Sequence, residues 1–241
     1  MPQDVTEILR ALAPTGTLRA AINLGNAVLA QPQGDGSPAG VTVDLSHEIG
    51  RRLGVPVALT AFDAAARVVE ALGSGAFDIG FLAIDPHRAD TIDFTQAYVR
   101  IEGAYIVRSD APYRTPADID AAGIRIGVGT GAAYDLFLSR QLRHASLVRY
   151  PTSAEVFAGF LRDGLEAGAN IRQPADAHAA EHGGLRVLAE PFMQIRQAVA
   201  IPRGRGPARA WVDAALVDLK ASGFIARALS RAGQEETLVA P

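Results

Sequence analysis

Residues 77–98 carry the stretch that decides the fold, F-D-I-G-F-L-A-I-D-P-H-R-A-D-T-I-D-F-T-Q-A-Y. Its apolar first part, residues 77–84, predicts a buried strand that runs into a Pro-containing turn. Arg88 follows this strand. Because ligands of open α/β sheets bind beyond the carboxyl ends of the strands, an arginine here is well placed to hold an anion. The alternative is a surface arginine that pairs with Asp85 or Asp93, and geometry alone leaves both open.

Strands alternate with helices along the rest of the chain, which predicts a mostly parallel α/β sheet. Two similar units follow one another, and a C-terminal pair of helices is left over. We predict strands at residues 18–24, 55–62 and 77–84 in the first unit and at 124–128, 147–150 and 166–171 in the second, with the final helices at 207–221 and 224–232.

The central stretch resembles the family 3 solute-binding proteins of bacterial ABC importers. The matching residues are Gly75, Phe77, Asp78, Ile79, Arg88, Ile92, Asp93, Phe94, Thr95 and Tyr98, and the order of elements agrees over about residues 16–233. The resemblance implies a type II periplasmic binding protein: α/β, with two Rossmann-like lobes, a two-strand hinge and a ligand cleft between the lobes. It places lobe 1 at residues 1–102 and 197–241, and lobe 2 at 103–196, with Gly103 suited to the hinge.

Composition excludes several classes of protein. The 241 residues are 49% hydrophobic, enough for a sizeable core. The net charge of −3, with no basic stripe, argues against nucleic acid. With no cysteine there is no disulfide or thiolate chemistry, and no apolar run is long enough for membrane insertion. We expect no cofactor, no metal and a monomer.

Two localisations stay open. The resemblance implies the periplasm, with an ABC permease as partner. The start of the chain, however, lacks the basic and apolar regions of a signal peptide, so either an export signal was removed or the protein is cytoplasmic.

The resemblance also implies which residues of the first lobe contact a small carboxylate ligand. Arg88 would bind the carboxylate, assisted by the N–H of Ala83, where the family usually has Ser or Thr. The remaining candidates are Phe81, Asn23, Asn26 and Phe62, with Tyr98 and Gln197 as further residues near the hinge strands. For Phe62 a plain core role is an equal alternative.

In the second lobe a Gly-rich turn, residues 126–134, runs from a strand into a helix, whose free N–H groups form an anion site. The glycines are spaced at i, i+2 and i+4, which disfavours a dinucleotide fingerprint. The family has a G-x-x-x-G-(S/T) turn here. It implies ligand contacts at Gly131, Ala132 and Ala133, although Ala132 lacks the usual hydroxyl.

The family binds the ammonium of amino acids with an acid that falls here at about Ile171. Its neighbours Asn170 and Arg172 supply no carboxylate, so we expect ordinary α-amino acids to bind weakly. Asn170 and Arg172 remain candidate ligand contacts. Arg172 favours a second anionic group on the ligand, or is a solvated arginine paired with Asp176.

We therefore predict a solute-binding protein without catalytic residues. One alternative is an enzyme similar to the cyclohexadienyl (prephenate) dehydratases, for which Glu166 is the nearest general acid. The others are a cytoplasmic sensor without a transport role, and a partner-binding domain without a small ligand. His178 and His182 have metal-ligand spacing, but two ligands alone favour a solvated helix face.

Overall fold

The computed structural model describes residues 5–241 and shows a mixed α/β protein. Residues 1–4, on which the expectation about an export signal partly rests, lie outside the described part. In chain order the elements are α1 Val5–Leu12, β1 Leu18–Asn23, β2 Gln31–Pro32, β3 Pro38–Ala39, α2 Val41–Leu53, β4 Val57–Phe62, α3 Ala65–Gly73, β5 Ile79–Ala83, a 3-10 helix Arg88–Asp90, β6 Ile92–Arg108, α4 Pro116–Ile119, β7 Arg125–Gly129, α5 Ala133–Gln141, β8 Ser146–Tyr150, α6 Glu155–Arg162, β9 Ala167–Ile171, α7 Arg172–His182, β10 Leu185–Val187, β11 Met193–Pro202, α8 Gly206–Ala221, α9 Phe224–Arg231 and a 3-10 helix Glu236–Leu238.

The chain divides into two compact units. The first unit contains the chain up to Arg100 together with Arg196–Pro241, and the second contains Ile101–Ile195. The lobe boundaries expected from the sequence lie within two residues of these positions. Strands β6 and β11 each pass from one unit into the other.

In the first unit, the strand order is β4-β1-β5-β11. Strand β1 is parallel to both β4 and β5, whereas β11 runs antiparallel to β5. Helix α3 covers one face with an apolar cluster that includes Val68, Leu72 and Leu82. Because β1, β4 and β5 are parallel, their carboxyl ends lie at one edge of the sheet.

The second unit repeats this arrangement with β7 at its centre. The strand order is β6-β9-β7-β8; β7 is parallel to β8 and β9, and β9 is antiparallel to β6. Strand β10 pairs with β6 as an antiparallel neighbour. Tyr150, Val156 and Phe160 form part of the core between this sheet and α6.

In each unit, an arginine at the amino end of the central strand pairs with an acid at the start of a neighbouring strand, a pair that we call the arginine–acid clamp. In the first unit, the backbone N–H and Nε of Arg19 donate to Asp78 Oδ2 at 3.0 and 2.9 Å. In the second, the N–H and Nε of Arg125 donate to Glu166 Oε2 at 2.8 and 3.0 Å. The Asp78 of the family-like motif therefore joins β1 to the start of β5.

Two parts of the chain hold more strand structure than their sequence patterns indicate. Strand β6 is one continuous strand of 17 residues, although the sequence shows two apolar runs. The loop between β1 and α2, which is rich in Gly, Pro and Gln, contains a small hairpin, β2–β3. The short helix α4 begins with a capping box formed by Thr115 and Asp118, and Pro116 lies in its first turn.

Among the described residues, no helix combines the length and the apolar character that crossing a bilayer would require.

Candidate functional site

The carboxyl edge of the first unit brings together most of the predicted first-lobe residues. The register between β1 and β4 places Asn23 opposite Phe62, and the register between β1 and β5 places Ala21 opposite Gly80. Counting along the parallel strands from that pair, the ends of β1 and β5 reach the same edge of the sheet, where Ala83 ends β5. This edge is where a ligand of an α/β unit is expected.

Arg88 lies at this edge and is buried, with only 3% of its surface exposed. Its Nη1 donates to the carbonyl oxygen of Ala83 at 3.0 Å, which fixes the guanidinium on the last residue of β5. Burial lowers the pKa of Arg88 to about 10, and the nearby charge of Asp85 opposes this shift. The side chain is therefore cationic at neutral pH.

The alternative of an exposed surface arginine is wrong, because only 3% of the Arg88 surface is exposed. Asp85 does act on Arg88 electrostatically, as that alternative expected. Asp93 accepts a hydrogen bond from the N–H of Gly204 at 3.0 Å. A buried, charged guanidinium with five N–H donors is a suitable group for an anion.

Asn23 and Asn26 lie in a tight turn at the end of β1. Asn23 Oδ1 accepts from the N–H of Gly25 at 3.0 Å, and the carbonyl oxygen of Asn26 accepts from the N–H groups of Leu29 and Ala30 at 3.0 and 3.1 Å. Asn26 is 4% exposed, and its Oδ1 has no hydrogen-bond partner among the described residues. The turn is thus held internally except at one buried acceptor.

The aromatic residues that were predicted to contact the ligand pack against other aromatic side chains. Phe62 is half-buried and packs edge-on against Phe77, with ring centroids 5.5 Å apart, beside the α3 cluster. Phe81 is buried and packs edge-on against Tyr98 at 6.1 Å. Tyr98 is itself fully buried. Gln197 is buried on β11, opposite Ala83.

In the second unit, the predicted Gly-rich turn opens α5 as expected. Gly131 has φ +67, a left-handed conformation that favours glycine, and Ala132 is the N-cap. The N–H of Ala132 donates to the carbonyl oxygen of Gly129 at 3.1 Å, and Ala133 is the first helical residue. The N–H of Ala133 belongs to the first turn, where helices leave N–H groups without intrahelical partners.

An acid that sequence reasoning missed lies at this same helix end. Asp135 Oδ2 accepts from the N–H of Gly131 at 2.8 Å, and Arg149 Nε donates to Asp135 Oδ1 at 3.0 Å. The turn thus already holds a carboxylate of the chain. The sequence signal was Asp135 in the first turn of the helix, a position that favours acids.

Asn170 and Arg172 end β9 and begin α7, and both have internal partners. Asn170 Nδ2 donates to the carbonyl oxygen of Ser153 at 2.9 Å, and its Oδ1 accepts from the N–H of Ile171 at 2.8 Å. Arg172 Nε donates to Glu102 Oε2 at 2.6 Å. The expected pairing of Arg172 with Asp176 thus needs correction: the salt bridge goes to Glu102.

Glu102 was missed because only strand pairing brings it near. Gly103 on β6 lies opposite Ile171 on β9, so Glu102 meets Arg172 across the antiparallel pair. Gln194 Nε2 donates to Glu102 Oε1 at 3.1 Å. The sequence shows no acid next to Ile171, because Glu102 is 70 residues from Arg172 along the chain.

Glu166, His178 and His182 are the remaining candidates from the sequence. Glu166 is engaged by Arg125 in the clamp described above. His178 and His182 stack with ring centroids 3.9 Å apart, and no group of three His, Cys, Asp or Glu suited to a metal occurs among residues 5–241. Stacked rings lie face to face and do not aim their nitrogens at a shared ion.

The sequence model of the bacterial extracellular solute-binding proteins, family 3, matches residues 18–234. The chain belongs to this family. The resemblance predicted from residues 75–98 is confirmed, and so is the fold class that it implied, since solved structures of amino-acid ABC transporter substrate-binding proteins share the fold. No curated protein matches the chain.

Solved structures similar to this family 3 protein include an amino acid ABC transporter substrate-binding protein AbpA from Streptococcus pneumoniae, bound to L-arginine. It has a TM-score of 0.80 and 22% identity, covering 92% of this chain and 97% of that one. A cysteine-binding protein from Campylobacter jejuni has a TM-score of 0.80 and 20% identity, covering 93% and 92%.

Another similar structure is the ancestral amino acid-binding protein AncCDT-1, described as a precursor of cyclohexadienyl dehydratase. Its TM-score is 0.77 with 22% identity, covering 94% of this chain and 98% of that one. At these identities the likeness shows the fold alone, and the family membership carries the solute-binding role.

Proposed function

We propose that this family 3 protein binds a small carboxylate through Arg88, as the substrate-binding component of an ABC importer outside the cytoplasm. The observation that carries the proposal is the buried guanidinium at the carboxyl edge of the first unit, held by the carbonyl oxygen of Ala83. An ABC permease would be its partner, as the family implies.

A carboxylate suits this guanidinium for an energetic reason. Burying a charge is costly unless a partner compensates it, and the low local dielectric strengthens a paired, charge-assisted hydrogen bond. A carboxylate accepts two parallel N–H donors from arginine, whereas a lysine in its place would offer a point charge. The negative charge of a bound carboxylate would raise the pKa of Arg88, against the lowering that burial causes.

We further propose that ordinary α-amino acids bind weakly. Ile171 stands where the family has its ammonium-binding acid, and Asn170 beside it has internal hydrogen-bond partners. Glu102 is the nearby acid, but Arg172 and Gln194 already donate to it. An ammonium buried without a carboxylate costs several kcal/mol. A carboxylate without an ammonium avoids this cost.

The likeness to AncCDT-1 raises the second candidate, a dehydratase on the same fold. Such chemistry needs a general acid, and Glu166, the nearest predicted acid, is bound by Arg125 in the structural clamp. Binding without reaction is therefore the proposal. Incubation with prephenate, followed by ultraviolet absorbance, tests the alternative: a growing aromatic band would establish dehydratase activity.

Calorimetry against a panel of carboxylates and amino acids tests the proposal. We expect at least one carboxylate to bind the unaltered protein, no detectable binding after Arg88→Ala, and at least a tenfold loss after Arg88→Lys, because lysine cannot form the bidentate pair. Circular dichroism melts must show that both variants are folded.

Arg203→Ala is the matched control. Arg203 is exposed, and its Nη1 donates to the carbonyl oxygens of Ala89 and Asp90, in the same 3-10 turn that Arg88 begins. This variant disturbs the turn without touching the guanidinium of Arg88. If a folded Arg88→Ala variant binds the carboxylate with the same affinity as the unaltered protein, Arg88 is not the carboxylate-binding residue.

A further inference from the structure

We infer that the ligand of this site carries a hydroxyl or amide N–H donor besides its carboxylate, and that this donor binds Asn26 Oδ1. The inference rests on the proposed function, because it deepens the chemistry of the same edge. It assigns the protein to hydroxyl- or amide-bearing carboxylates, in contrast to plain alkyl carboxylates.

The first observation is the unsatisfied acceptor itself. Only 4% of the surface of Asn26 is exposed, and its Oδ1 accepts no hydrogen bond from the described residues. Buried polar atoms almost always have a partner, because leaving one unpaired costs the full desolvation of the group. At the edge of a ligand site, a missing partner of this kind can be supplied by the ligand.

The second observation is that the backbone of the turn around Asn26 is tightly packed and held by hydrogen bonds. A Cβ added at Gly25 would lie 2.9 Å from the carbonyl oxygen of Asp63 and 3.0 Å from Asn23 Oδ1, so the turn is packed against the end of β4. The N–H and carbonyl of Asn26 are both bound within the turn. The backbone therefore fixes where the side chain starts.

The third observation is location. The turn follows β1 at the same sheet edge at which β5 ends in Ala83, the residue that holds Arg88. Within the first unit, the cationic group and the unsatisfied acceptor thus belong to one edge. A carboxylate and a donor on one small molecule match these two groups.

The ligand group that donates to Asn26 Oδ1 should carry no charge. Asn26 offers a neutral oxygen, which cannot compensate an ammonium. The acids of the neighbouring loops are engaged: Asp63 pairs with the exposed Arg67 at 3.1 Å, and Asp85 acts on Arg88. A hydroxyl or an amide N–H satisfies Asn26 Oδ1 without adding a charge.

Calorimetry with matched pairs of probes tests the inference: propionate against lactate, succinate against malate, and levulinate against succinamate. In each pair one member has an added donor. We expect the donor-bearing member of at least one pair to bind the unaltered protein about tenfold tighter or more, and Asn26→Leu to abolish that preference. A preference that persists in Asn26→Leu would overturn the inference.

Stability without ligand is the second readout, and it separates a ligand-binding role from a structural one. Asn26→Leu removes the unsatisfied acceptor at similar volume, so the unliganded variant should melt at a higher temperature. Asn23→Leu is the contrast, since it removes the acceptor of the Gly25 N–H and should melt lower. Lower melting of Asn26→Leu together with unchanged affinity would also overturn the inference.

The outcomes distinguish the two proposals. If no carboxylate binds the unaltered protein, the proposed function fails and this inference fails with it. If members of the pairs bind equally and depend on Arg88, the proposed function stands and the assignment of Asn26 is wrong.

Discussion

The hydroxyl of Tyr98 is a buried polar group without a hydrogen-bond partner among the described residues. The ring of Tyr98 packs edge-on against Phe81. Tyr98→Phe removes the unpaired hydroxyl and keeps the ring. We expect the free energy of unfolding to rise by about 1 kcal/mol, measured by urea unfolding at pH 7.

Tyr134→Phe is the control with the opposite sign. Tyr134 is equally buried, but its hydroxyl donates to Ser153 Oγ at 2.8 Å. Removing it leaves Ser153 with one hydrogen bond fewer, so stability should fall by about 1 kcal/mol. A loss of stability in both variants would show that Tyr98 has a partner.

The candidate site was predictable where adjacent residues carry the signal. Arg88 was predictable because a strand, a Pro-containing turn and an arginine follow one another in sequence, whereas Ala83 came from the family resemblance. The burial of Arg88 was not predictable, since it depends on tertiary packing. Glu102 was missed because its meeting with Arg172 needs the register of two strands far apart in sequence.

At the scale of elements, a glycine inside α6 shows packing overriding helix propensity. Alanine favours a helix over glycine by about 1 kcal/mol. A Cβ at Gly159, however, would come within 2.2 Å of two ring carbons of Tyr150. The Tyr150 hydroxyl donates to Asp163 Oδ2 at 2.7 Å, so this ring is held in place. Gly159→Ala should therefore destabilise the protein by about 1–3 kcal/mol in urea unfolding.

Gly73→Ala is the matched substitution in α3. A Cβ at Gly73 meets nothing within 4 Å, and its φ is not positive. Helix propensity should therefore decide the effect of Gly73→Ala, and the free energy of unfolding should stay the same or rise by up to about 1 kcal/mol. If Gly159→Ala were as mild as Gly73→Ala, the Tyr150 ring would have room to move.

Most helices and strands were predictable to within two or three residues, because their apolar periodicity and caps are local. Helix α8 was expected at residues 207–221 and spans Gly206–Ala221. The β2–β3 hairpin was missed because strands of two residues have no periodicity. The length of β6 was not predictable because its burial does not alternate: Ile92, Thr95 and Tyr98 are buried at its start, and residues 103–107 are buried without a break near its end.

At the scale of the whole molecule, burial sets the response to alkaline pH. It raises the pKa of Tyr98, Tyr105 and Tyr134 above the usual value near 10. Unfolded tyrosines ionise near pH 10 while these stay protonated, so the folded state binds more protons there. Their contribution to stability is present below pH 10 and is lost as the pH rises above it.

The buried Arg88 and the partly buried Lys220 and Arg186 act in the opposite direction. Burial lowers their pKa values, so their unfolded forms bind more protons over the alkaline range and they favour folding as the pH rises. Because burial shifts the pKa values of the three buried tyrosines further than that of Arg88, we expect the urea midpoint to fall between pH 9 and 11, with tyrosinate absorbance appearing on unfolding. A midpoint that stays level to pH 11 would contradict this.

The division into two units was predictable from the family-like motif and the order of elements, because the second half repeats the pattern of the first. The repetition extends to the clamps, Arg19 with Asp78 and Arg125 with Glu166. That equivalence was hidden in the sequence, since one acid is Asp and the other Glu. It explains why Glu166 looked like a free acid but is a structural one.

The carboxylate of Asp135 on the Gly131 amide has a consequence for how this protein could change its preference for ligands. The start of α5 carries its own counter-ion, which neutralises a helix end that would otherwise attract free acids. Exchanging that one residue for asparagine would remove the negative charge and leave Arg149 without its acidic partner. A single codon change would thus convert a helix end that binds its own carboxylate into one that attracts anions.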